Sequence, residues 1–95
     1  MNDNTILVFE KSVKVENLSI TYQVVKNDGI LEGNSYTFYD IMIEKVSSNS
    51  VERNVCVHLT TDIEIAKKIC NILCDNFVLP ENLFECVEEC LELVL

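Results

Sequence analysis

The chain has 95 residues, 48% of them hydrophobic and 24% charged, with a formal net charge of −9. That balance describes one globular domain with a modest core, over residues 1–95, and rules out a disordered chain. Seven Lys and Arg in all are too few to cluster against phosphates, which disfavours direct nucleic-acid binding. No apolar run reaches the roughly 18 residues a bilayer span requires, so no membrane association is expected. Met1–Thr5 has no basic character and Ile6–Phe9 is too short for a signal sequence, so the expected location is cytoplasmic, with reduced cysteines.

Taken in order, Thr5–Phe9 reads as a short first edge strand. From Ser12 the pattern alternates through Val13 and Val15, then Leu18, Ile20, Tyr22 and Val24; the change of parity predicts a bulge or tight turn at Glu16-Asn17. Asn27-Asp28-Gly29 and Glu32-Gly33-Asn34 both carry turn signals. Ser35–Val46 is the next strand, with Tyr39, Ile41 and Ile43 on one face. After the polar loop Ser47–Ser50, the strand Val51–Leu59 sets Val51, Val55, Val57 and Leu59 on one face and Glu52, Asn54, Cys56 and His58 on the other. Consecutive strands with short connections predict an antiparallel meander of about 3–4 strands with one solvated face.

The last third predicts two helices hinged at Pro80, from about Thr61 to Phe77 and from Pro80 to Leu95. Thr61-Asp62-Ile63-Glu64 has the form of a capping box, with the Thr61 hydroxyl accepting from the Glu64 amide. Pro80 suits a first helical position, where its missing N–H is no loss. The apolar arc of each helix spans roughly 200°, about twice what packing on a sheet needs, so each should touch the sheet and one further surface. Glu81, Glu85, Glu88, Glu89 and Glu92 form the opposite side of the second helix. Like charges four apart cost a few tenths of a kcal/mol each, against roughly 1.5–3 kcal/mol gained per buried Leu, Val or Phe, so a solvated acidic face is affordable without a function. Strands first and helices after give an α+β fold: a meander over 1–59 and a helical hairpin over 60–95 packed on one sheet face.

Cys70, Cys74, Cys86 and Cys90 form two C-x3-C pairs on the two helices. Zinc sites use C-x2-C on a turn more often than two helical pairs, and a reduced cysteine packs as a small hydrophobe, so core packing is the expected role and a metal or redox module the alternative. His58 is the sole histidine, and two residues along a strand leave it about 7 Å from Cys56, too far for a nucleophile pair. Gly29 and Gly33 are the only glycines, and neither opens a helix, so no phosphate-binding loop is present.

Three short stretches, Tyr39-Asp40-Ile41, Leu59-Thr60-Thr61-Asp62 and Phe77-Val78-Leu79-Pro80-Glu81-Asn82-Leu83, give the chain a resemblance to a family of small proteins of unknown function from Gram-positive anaerobic bacteria. It departs from that family's pattern at Asp40 and Asn82, where Gly and His are usual. The resemblance covers nearly the whole chain, implies the fold and a bacterial origin, and supplies no activity to carry over.

The sequence therefore predicts a non-enzymatic interaction or regulatory module, without catalytic residues or cofactor, that meets an unknown protein partner. The surplus apolar residues Leu91, Leu93, Val94 and Leu95 predict helix packing and a homodimer. One alternative is an acidic inhibitor or nucleic-acid mimic that covers a basic partner surface with Glu81, Glu85, Glu88, Glu89 and Glu92. The other is the cysteine-based metal or redox module.

Overall fold

The computed structural model describes residues 5–94. Four strands pair in chain order as one antiparallel sheet: β1 (Ile6–Val15), β2 (Leu18–Leu31), β3 (Asn34–Val46) and β4 (Val51–Thr60). Two helices follow, α1 (Ile63–Asp75) and α2 (Leu83–Val94), with a single 3-10 turn at Pro80–Asn82 between them. The expected α+β meander with a helix pair on one sheet face is the fold observed. The second helix begins later than expected, because Pro80 opens the tight turn rather than the helix itself.

Strand boundaries differ from the sequence reading at three places. Thr5–Phe9 and the run from Ser12 belong to one strand, β1, whose register shift lies between Leu7 and Phe9; Glu16-Asn17 is the tight turn, with Glu16 at φ 53°. Asn27-Asp28-Gly29 does not turn at all, and β2 runs straight through it to Leu31. Each of its residues is matched across the ladder. The Asn27 amide donates to Asp40 at 2.8 Å, Asp28 accepts from Thr37 at 3.1 Å, and Gly29 lies under the Tyr36 ring, where a Cβ would sit 2.7 Å from Cζ. The turn forms instead at Glu32-Gly33, where both residues have positive φ (51° and 82°) as a two-residue hairpin of the primed type demands.

The third difference is β4, whose expected faces are exchanged as far as Cys56; beyond it Leu59 packs on the core and His58 lies on the opposite face, as expected. Val51 and Val57 are exposed, and Cys56 and Asn54 turn toward the helices. The cause is the hairpin register with β3, which sets Asn54 and Cys56 opposite the buried Ile43 and Ile41; further on, Tyr39 opposes Thr60, so three residues of β4 stand against Asp40 alone in a bulge. His58, at φ 57°, sits at the centre of that bulge, and its N–H donates to the Asp40 carboxylate at 2.8 Å in place of a ladder bond.

The core lies between the sheet and the helices. Ile20, Tyr22 and Val24 of β2 and Tyr39, Ile41 and Ile43 of β3 supply the sheet side; Ala66, Ile69, Cys70 and Leu73 of α1 and Leu83, Val87 and Cys90 of α2 supply the other. α1 packs across all four strands, and α2 packs on α1 and β4. Each helix thus meets two surfaces, as the width of its apolar arc requires.

The ends of α1 are closed differently from the predicted capping box. Asp62, not Thr61, is the N-cap: its Oδ1 accepts from the Glu64 amide at 2.9 Å and more distantly from Ile65, and Thr60 Oγ1 in turn accepts from the Asp62 amide at 3.0 Å. A carboxylate at this position adds charge–dipole attraction to the hydrogen bonds. At the other end Val78 N–H donates to Leu73 C=O and Phe77 N–H to Cys74 C=O, the Schellman pattern, with Phe77 in the left-handed conformation at φ 52°. Asp62→Ala should lower stability by about 1 kcal/mol, whereas Thr61→Ala should change it by a few tenths at most; urea denaturation of both variants checks this.

Two sheet side chains hold the segment between the helices. The Tyr22 hydroxyl, fully buried, donates to the Val78 carbonyl at 2.9 Å, and Asn54 Nδ2 donates to the Pro80 carbonyl at 3.0 Å. Tyr22→Phe leaves the buried Val78 carbonyl without a donor and should lower stability by about 1–3 kcal/mol, seen as a lower urea midpoint at unchanged slope.

Candidate interaction surface

The bend that the Schellman end and Pro80 impose leaves a groove between α1 and α2 of about 520 Å³. Ile72 and Phe77 line it from α1 and its end, Leu79 from the connection, and Cys86 and Leu93 from α2; Glu85 and Glu89 add carboxylates, and no Lys or Arg lines it among the described residues. Phe77 is 56% exposed and Leu93 78% exposed. A side chain in the left-handed region ordinarily costs about 1–2 kcal/mol relative to glycine, and this position after a helix usually belongs to glycine. Here it carries an exposed phenyl ring.

The five acidic residues predicted to meet a partner are all exposed but do not form one row. Glu85 and Glu89 belong to the groove, Glu81 stands beside Arg53 and Asn54 at a shallow depression, and Glu88 and Glu92 line neither. The residues predicted for helix packing and dimerisation also part company. Leu91 and Val94 pack against the chain's own core, Leu93 points to the groove, and Leu95 lies outside the described residues.

Cys70, Cys74 and Cys90 are buried, Cys86 is half-buried at the groove, and all five cysteines are free thiols. Among the described residues no three His, Cys, Asp or Glu side chains gather as a metal site. Burial pushes the Cys70 thiol up to about 12, with the adjacent Cys74 adding to the rise and Lys11 opposing it. Desolvation also raises Cys56, Cys86 and Cys90, reinforced at Cys86 by Glu89 and Glu85. Thiols that serve as nucleophiles or redox centres have lowered values; these four are shifted the other way.

On the sheet face away from the helices, His58 stacks on Phe38 with ring centroids 3.8 Å apart and planes at 9°, and its Nε2 lies 3.0 Å from the Tyr36 hydroxyl. Next to this pile runs a chain of polar contacts: the Thr5 hydroxyl to Asn27, the Asn27 amide to Asp40, and Asp40 to the His58 backbone. Asp40 is 8% exposed and both carboxylate oxygens are bonded. Its geometry fits a structural clasp on the bulge rather than a catalytic carboxylate.

The sequence reading missed Phe77 and the groove. The signal was there in Phe77-Val78-Leu79-Pro80, an aromatic residue at the stop of a helix where glycine is the rule. The chain matches a family of unknown function, DUF6514, over residues 4–93. It belongs to that family. No curated protein and no solved structure matches it. The DUF6514 description assigns no activity, so geometry and electrostatics carry the functional reading. No helix among the described residues is long and apolar enough to cross a membrane.

The raised thiol and phenol values have a consequence in stability. Burial pushes Tyr22 up from 10.0 to about 12, with Cys74 and Cys70 adding to it, and Cys70 up from 9.0 to about 12. As pH rises from 9.0 toward 12, the unfolded chain releases protons that the folded chain retains, so folding is progressively opposed. The urea midpoint should hold level below about pH 8 and fall steadily above about pH 9, and Tyr22→Phe should flatten part of that fall.

Proposed function

We propose that this protein works by contact and not by catalysis, and that the α1–α2 groove receives a short apolar segment of a partner protein bearing Lys or Arg. The observation that carries this is Phe77: an exposed aromatic side chain fixed at the mouth of an apolar groove, in a backbone conformation that favours glycine. Strained, exposed positions of this kind are held by their surroundings where a function needs them. Ile72, Leu79, Cys86 and Leu93 supply apolar contact, and Glu85 and Glu89 select for positive charge.

A second copy of the chain fits this groove poorly. It would bring Glu85 and Glu89 against another acidic helix, with no basic residue in the groove to offset them among the described residues. The acidic-inhibitor reading shares the basic partner but rests on charge alone; the groove adds apolar anchors that a mimic of phosphates does not need.

Selection from a random peptide library tests the reading. Enriched peptides should combine two or three large apolar residues with Lys or Arg. Phe77→Gly should weaken their binding about tenfold, the loss of one central aromatic contact, while urea stability stays level or rises. Peptides without basic residues, or binding that Phe77→Gly leaves unchanged, would overturn the groove as the site.

A further inference from the structure

We propose that two copies of this chain pair through the outer edge of β1, antiparallel and centred on Ser12, to make one continuous eight-stranded sheet. This rests on the strand register and is independent of the groove.

The regular part of β1 is bounded by the register shift after Leu7 and by the turn after Val15. It runs from Phe9 to Val15, and its middle residue is Ser12. In a two-residue hairpin the residues flanking the turn exchange both backbone bonds, so Val15 directs its N–H and C=O toward Leu18. By alternation Val13, Lys11 and Phe9 also bond inward, to Ile20, Tyr22 and Val24. Glu10, Ser12 and Lys14 therefore direct their backbone groups outward, and β1 is a terminal strand of the sheet with no neighbour on that side among the described residues.

A two-fold axis at Ser12 sets Ser12 opposite its own copy and Glu10 opposite Lys14 of the second copy, twice over. All three pairs consist of residues whose backbone groups face the axis, so each can exchange two ladder bonds. Glu10 and Lys14 share a sheet face and meet as opposite charges, and neither is in a salt bridge within the described part of its own chain. On the helix side Phe9 meets Val15 of the second copy, and Val15 is 53% exposed in the single chain.

Other registers are penalised. Sliding one copy by two residues brings Lys11 directly against Lys11 in one direction, and in the other moves Glu10 off Lys14 to face the turn beyond the end of the strand. A slide by one residue sets helix-side residues against those of the open face. The pattern along β1 therefore favours one partner and one alignment: a second copy, through the Ser12 axis.

Sedimentation and light scattering of the whole chain at tens of micromolar decide it. The wild type should run as a dimer. Glu10→Lys and Lys14→Glu should each weaken pairing about tenfold by placing like charges opposite one another, and the double exchange should restore it. Ser12→Pro should abolish pairing with an unchanged circular dichroism spectrum, because the N–H it removes faces outward from an edge strand. A wild type that is monomeric at these concentrations would overturn the proposal. So would a dimer indifferent to Ser12→Pro and to both charge exchanges, including one that Leu93→Lys disperses instead.

Discussion

The position of α2 depends on two hydrogen bonds that reach up from the sheet. Tyr22 and Asn54, from β2 and β4, donate to the Val78 and Pro80 carbonyls in the stretch where the chain leaves one helix and starts the next. A 12-residue helix with four glutamates has little stability of its own in water. Its location is decided by how the preceding turn is held and by the burial of Leu83, Val87 and Cys90. Pro80 sets the bend, and the two donors set where the bend sits. The groove between the helices is what remains open once that angle is fixed.

The two faces of the sheet are built on different chemistry. Toward the helices, β2 and β3 alternate large apolar residues that are nearly or wholly buried. Away from them, a short polar chain through Asn27 and Asp40 ties β2, β3 and β4 together, with the Phe38–His58 stack beside it. Asp40 is the pivot of that face: it satisfies the backbone of a bulge that would otherwise leave His58 N–H unpaired.

Much of the architecture was legible because periodicity and punctuation agreed. The alternation in β2 and β3 named the buried residues correctly, and the wide apolar arcs of α1 and α2 were right in requiring two surfaces for each helix. What failed were positions where a local signal met a stronger tertiary one. Asn27-Asp28-Gly29 has turn residues, yet Thr37, Asp40 and the Tyr36 ring give each of them a partner in an extended strand. The valines of β4 suggested a covered face, but strand alternation alone cannot reveal which parity the hairpin register sets against Ile41 and Ile43, and that register gives the helix side to Asn54 and Cys56. Phe77 escaped because the stop of α1 was read from Pro80, three residues on, and no propensity marks an aromatic residue as left-handed. The five glutamates were visible as exposed; their division between groove and flank depends on the angle of the hinge.

The bulge at His58 also governs what the far side of the sheet can do. An open sheet has two rims, and a molecule with two straight rims can add neighbours without limit, as fibrils do. Here one rim is bent by three residues set against one and by a residue in the left-handed region, so its regular run is cut to Val51–Cys56. In the pairing proposed for β1 the two copies present the same edge to each other, so that assembly closes at two chains. A local irregularity between Cys56 and Thr60 thus disfavours growth from the opposite edge of a valine-rich, two-edged sheet.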